Sequence, residues 1–202
     1  MKIGRPKEVP DEQILAVARK CFLERGGSIS AVEIGRAVGV SHATLFNRFG
    51  SKQGLVLAAL GPPKDIAWID TLDKGPDGRP MKVQLVEVSL AIAAFFRDLQ
   101  AGFSILQAAG ISLSKTCSQT DDQAAPVRAF QGLTRWIERA QGQGKIAPCD
   151  AGVLASTLLG VLHNRAFSGQ LCGDPDADRA ADSRHVADVI DLLWNGLKPP
   201  PA

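Results

Sequence analysis

The chain has no tyrosine, and aromatic residues make up only 5% of its 202 positions. That scarcity, beside abundant alanine and leucine, argues against a strand-rich fold and for helices. Cysteine is sparse too: Cys21, Cys117, Cys149 and Cys172 lie far apart, form no CxxC pair and have no histidine at ligand spacing. Neither a disulfide framework nor a metal site is expected, and no other cofactor is expected. Cys21 falls in an apolar-periodic stretch and reads as a small core residue, whereas Cys117 sits in a polar one and reads as exposed. The three histidines, His42, His163 and His185, are scattered. They offer no nucleophile–base pair, so the chain is not expected to be an enzyme. No apolar run approaches the ~20 residues that span a bilayer, and the opening MKIGRPKEV is charged without an apolar centre. A cytoplasmic protein without membrane contact is expected.

What is present is an ordinary globular balance, 45% hydrophobic and 22% charged, in a chain long enough for one or two small domains. The net charge of +2 hides an asymmetry. Residues 1–60 carry nine Lys/Arg against five Asp/Glu, while residues 61–202 carry fourteen against sixteen. A small basic module on a near-neutral body is what a chain needs if one end alone meets a polyanion.

Helical periodicity organises the rest. Residues 2–9 form a short basic arm. Over residues 11–25, Ile14, Leu15, Ala18, Cys21 and Phe22 recur at steps of three and four, and Gly26-Gly27 ends the pattern. Ser30 can cap a second helix, with Glu33 placed to complete a capping box. Gly39 offers a tight turn, Val40 can plug the angle, and Ser41 caps a third helix whose Leu45 and Phe49 share an inner face. Gly50 ends it, and Ser51 caps a fourth helix from Lys52 to the Gly61-Pro62-Pro63 break. Further helical stretches follow at residues 65–72, 81–99, 101–109, 124–142, 150–167 and 180–197, with a polar connection before residue 124.

Two short helices meeting at a glycine, packed on a longer one, make a helix-turn-helix unit whose second helix can enter a DNA major groove. The small Gly35 lets the two cross closely. One turn after the Ser41 cap, Thr44, Asn47 and Arg48 are expected to face away from Leu45 and Phe49. Asn47 and Arg48 suit adenine and guanine respectively, and Thr44 offers a hydroxyl and a methyl. His42 either meets a base edge or phosphate or is a plain surface residue. Lys52, at a helix start, suits a phosphate. Arg5 and Lys7 either reach the DNA backbone or minor groove or remain a solvated tail.

Residues 10–60, through EIGRAVGVS followed by TLFNRFGSK, resemble the DNA-binding domain of the TetR family. The resemblance covers about a quarter of the chain. It implies an all-helical homodimer of about nine helices per subunit. Residues 1–54 would bind DNA, with Ser30, Ser41, His42, Thr44, Phe46, Asn47, Arg48 and Lys52 at the interface. Residues 55–198 would bind a small effector and dimerise, and residues 199–202 would be a tail. The implied function is a repressor released from a palindromic operator by a hydrophobic or amphipathic effector. Activation by the same docking and a helical adaptor that binds no DNA are the alternatives. Two departures stand out: Phe46 replaces a tyrosine whose hydroxyl contacts phosphate, and Gly35 replaces an alanine.

The resemblance also places an effector pocket within residues 55–143, where Trp68, Phe95, Phe96, Phe103, Leu106, Gln107, Phe130 and Trp136 are the candidate lining. Each aromatic among them could instead be core. The last two helices match the family's dimerisation pair. Their apolar stripes, Leu154, Leu158, Val161 and Leu162 on one and Val186, Val189, Ile190, Leu193 and Trp194 on the other, are the expected interface. The alternative is that those stripes close the monomer's own core.

Overall fold

The computed structural model describes residues 9–61, 66–111, 125–171 and 179–197. Among these lie nine α-helices and no strand: α1 (Asp11–Arg25), α2 (Ala31–Val38), α3 (His42–Phe49), α4 (Lys52–Leu60), α5 (Ala67–Asp73), α6 (Met81–Ala108), α7 (Ala125–Gly142), α8 (Ala151–Leu171) and α9 (Arg179–Leu197). The all-α fold expected from composition and periodicity is the one observed. Arg5, Lys7, Cys117 and Cys172 lie outside the described residues.

The chain forms two compact units. The first contains α1 to α4 together with residues 101–111. Its core joins Ile14, Ala18 and Phe22 of α1 to Ile34, Leu45, Leu55, Leu60 and Leu106, all at most 2% exposed. Burying one such side chain is worth about 1.5–3 kcal/mol, so this small unit has a core of its own. The division expected after residue 54 falls inside α4, whose Leu55, Val56, Ala59 and Leu60 all pack into this first core. Leu106 is buried in the same core, with Phe103 packed against it. Neither therefore lines a pocket in the second unit, a correction to their expected place.

The sequence suggested two stretches at 81–99 and 101–109, but α6 is one unbroken helix. Gly102 does not interrupt it, because the residue serves a close approach: a Cβ there would lie 2.7 Å from the Leu60 carbonyl oxygen. By length and composition α6 could cross a membrane, contrary to the expectation that no run is long enough. Its Leu85, Ile92 and Leu106 are instead buried in protein cores.

The second unit holds α5, most of α6, and α7 to α9. The carbonyls at the end of α5 are capped by a side chain from α7, with Arg139 donating to Leu72 O (2.6 Å) and Asp73 O (2.9 Å). The loop before α6 is closed by buried Gln84, whose amide accepts from Asp77 N and donates to the Asp77 and Arg79 carbonyls. Ion pairs Lys82–Asp191 (2.7 Å) and Arg97–Asp182 join α6 to α9.

Leu154, Leu158 and Leu162 of α8 and Val186 and Ile190 of α9 are buried within this unit. Val189, Leu193 and Trp194 pack partly buried against the same core, and Val161 is half-buried. The expected interface stripe is thus largely the unit's own core, which the most apolar face of each helix must close first. A second side remains outward. Val153, Thr157, Gly160, Asn164 and Phe167 run along α8 at steps of three and four, all exposed. Val153 and Phe167 are 61% and 45% exposed, and Leu192 on α9 is 78% exposed.

Candidate nucleic-acid interface

The site is assembled by local backbone chemistry. At the start of α2 the Ser30 hydroxyl accepts from Glu33 N (3.2 Å), and the Glu33 carboxylate accepts from Ser30 N (3.0 Å), closing the capping box. Arg25 donates to the other Glu33 oxygen at 2.5 Å. The Ser30 N–H foremost, then the Ser30 hydroxyl and Arg25, hold the Glu33 carboxyl at about 2, well below the usual carboxylate range. Ser30 is therefore a structural cap in this structure, its hydroxyl bonded within the box.

Gly39 turns the chain out of α2 with φ 85° and ψ 25°, and the amides of Gly39 and Val40 both donate to Gly35 O at 2.9 Å. Gly35 is buried at the crossing, where a Cβ would come 2.7 Å from Val40 O. The absence of a side chain at 35 is thus part of this turn rather than a neutral change in size. Ser41 then caps α3, accepting from Thr44 N at 3.1 Å and sharing a hydrogen bond with the Thr44 hydroxyl at 2.9 Å.

Only one side of α3 faces outward. Leu45 is buried, Thr44, Arg48 and Phe49 are half-buried, and His42, Ala43, Phe46 and Asn47 are exposed. At about 100° per residue, Ala43 is the centre of that side, flanked by Phe46 and Asn47, with His42 beyond Phe46. The His42 ring stands edge-on to Phe46, their centroids 6.2 Å apart. Phe46 is 42% exposed, a large apolar surface that the first unit leaves uncovered.

Arg48 departs from its expected place. Its guanidinium donates to the Val9 carbonyl and to Asp11 Oδ1 (2.9 Å), leaving the side chain 22% exposed. It fastens α3 to the start of α1 instead of pointing outward with Asn47. The reason is its angular position: Arg48 lies one step beyond Asn47, on the flank facing the chain's entry into α1. Lys52 donates to Gly27 O at 2.8 Å. An ammonium has three donors, so this bond leaves others with which to meet a phosphate. Two exposed residues were missed, Arg36 near the end of α2 and Ala43 on α3. Arg36 was legible as a cation on the polar side of an amphipathic helix. Ala43 carries no hydrogen-bonding group and gives no chemical signal.

The expected pocket residues separate. Trp68 and Trp136 are buried in the core of the second unit. Phe95 and Phe96 are half-buried against it and form a chain of ring contacts, Trp68–Phe95 (6.3 Å), Phe95–Phe96 (5.6 Å) and Phe96–His163 (5.2 Å). Trp68 Nε1 is buried and finds no acceptor among the described residues. Phe130 is exposed beside Gly152, and Gln107 is exposed in the first unit, so neither joins that chain of rings. No group of three or more His, Cys, Asp or Glu side chains placed to hold a metal occurs among the described residues.

Residues 14–59 match the model of the bacterial regulatory proteins of the tetR family. The HTH-type transcriptional repressor BdcR of Escherichia coli (strain K12) is 33% identical over 86 residues, 42% of this chain and 44% of that protein. The match thus spans less than half the length of that curated relative. Among solved structures, a TetR-family regulator from Mesorhizobium loti superposes with a TM-score of 0.65 at 18% identity, covering 93% of this chain and 96% of that one. A transcriptional regulator from Saccharomonospora viridis, solved in complex with choline, gives 0.62 at 24% identity, covering 89% of this chain and 94% of that one. At these identities the likeness is one of fold.

Proposed function

We propose that this chain, whose residues 14–59 match the model of the tetR family of bacterial regulatory proteins, is a sequence-specific DNA-binding regulator that acts as a homodimeric repressor. It holds a palindromic operator until a small hydrophobic or amphipathic effector releases it. The observation that carries the reading is the outward side of α3: a capped two-turn helix, braced by Leu45 from within, presenting Asn47, Ala43, Phe46 and His42 to solvent. A helix so presented fits a major groove. Lys52 and Arg36 supply cations for phosphate, and Arg5 and Lys7 belong to the arm that would follow the backbone.

Dimerisation is assigned to the outward sides of α8 and α9, with Val153, Gly160, Phe167 and Leu192 as its apolar part. Exposed apolar side chains repeating along one helix suit an isologous contact with a second copy. Two recognition helices would then lie about 34 Å apart, one DNA turn. The effector is assigned to the second unit, beside the ring chain from Trp68 to His163, where the Trp68 indole N–H awaits an acceptor. A regulator of similar fold in complex with choline supports the idea of a small-molecule ligand.

The test is selection of bound duplexes from a random library by the purified protein at stated salt, since phosphate contacts make affinity salt-dependent. One enriched palindrome is the expected result. Enrichment of nothing over background would overturn the reading.

A further inference from the structure

The chemistry left outward on α3 narrows what the helix can read. Guanine is usually recognised by an arginine or lysine that donates to O6 and N7 together. The one arginine of α3, Arg48, is committed to the Val9 carbonyl and to Asp11. The Thr44 hydroxyl, the next polar group round the helix, is engaged with Ser41. What remains at the centre is a methyl group, Ala43, beside a ring, Phe46, with the Asn47 amide on one side and the His42 imidazole on the other.

Each of these has a counterpart on an A·T pair. Thymine alone presents a methyl group to the major groove, and apolar side chains are its partners there. Adenine presents N7 and N6–H₂, which an asparagine amide matches with one donor and one acceptor. A G·C pair under Ala43 and Phe46 would bury the guanine O6 and the cytosine amino group against carbon, leaving both without partners. The mismatch is as informative as the match.

We infer that α3 reads A·T pairs at the centre of each half-site, with thymine methyl groups against Ala43 and Phe46 and an adenine edge on Asn47. This rests on the reading of the protein as a DNA-binding regulator and specifies the sequence class it takes. Arg48 acts here as a positioning residue, holding α3 against the start of α1 without touching a base.

The experiment begins from the duplex recovered by selection and replaces its thymines one at a time with uracil, which keeps every hydrogen-bonding group and removes only the methyl. At the one or two half-site positions under α3, binding should weaken about fourfold, the yield of burying one CH₂-sized group. In the Ala43→Gly protein, folding checked by circular dichroism, the loss at one of these positions should disappear. Asn47→Ala should abolish preference for adenine at a single position, about 5-fold or more in discrimination. A selected half-site centred on G·C pairs, or uracil duplexes bound as tightly as thymine duplexes, would overturn the inference and leave sequence-specific binding standing. Failure to enrich any site would overturn the underlying reading, and the inference with it.

Discussion

Arg48 shows how one side chain can serve recognition without taking part in it. Its two bonds run to the Val9 carbonyl, just ahead of the residue that precedes α1, and to the first carboxylate within α1, so they join the third helix to the first across 37 residues of sequence to Asp11. Arg48→Ala should therefore lower the stability of the first unit, by about 1 kcal/mol once partial exposure is allowed for, measured by urea unfolding. Its effect on DNA should be nearly uniform across sequences. A loss of specificity confined to one position of each half-site would instead return Arg48 to the groove. Glu33 gives a second prediction at this scale. Its carboxyl is held at about 2 against an ordinary 4.5. A depressed folded value means the capping box stabilises fully above about pH 4.5 and loses that contribution as the pH falls toward 2. The gap in Tm between the wild type and Glu33→Gln should be widest near neutrality and close across that window. A gap that stays constant would count against the assignment.

At the scale of the element, the turn between α2 and α3 is where sequence and structure agree best. Ser30, Glu33, Gly39 and Ser41 were each legible because caps and left-handed turns demand particular side chains, and each makes the predicted bond or adopts the predicted dihedral. Gly39 at φ 85° makes a clean test. Gly39→Ala, with open space around its new Cβ, should cost about 1 kcal/mol from the left-handed backbone alone, read as a lower Tm of the purified protein. No loss would mean that the turn relaxes elsewhere. Facing was harder to read than existence. Periodicity located α8 and α9, yet it could not say whether Leu154, Leu158 and Ile190 close their own core or meet another chain, since both need an apolar stripe. The fainter stripe of Val153, Gly160 and Phe167 is the outward one, and the polar Thr157 and Asn164 within it mask its period. The same limit applies to α3, where Asn47 and Arg48 both carry groups able to read a base edge and only the packing of α1 separates them.

For the whole molecule, Leu192 is the most exposed of the large apolar side chains described, at 78%. Leu192→Asp should leave the helical content intact while shifting the protein toward monomer in sedimentation, and it should weaken binding to a full palindrome far more than to one half-site. Unchanged assembly would exclude this side of α9 as the interface. The uncovered apolar side also changes what stability means for the protein. Where folding is completed by a second copy, mass action enters the equilibrium, and each tenfold dilution of chains removes about 1.4 kcal/mol from the folded dimer. A single melting temperature would then describe one concentration only. The number of copies a cell keeps would set how often both recognition helices are held together, and with it how sharply the regulated gene responds to a change in supply of the regulator itself.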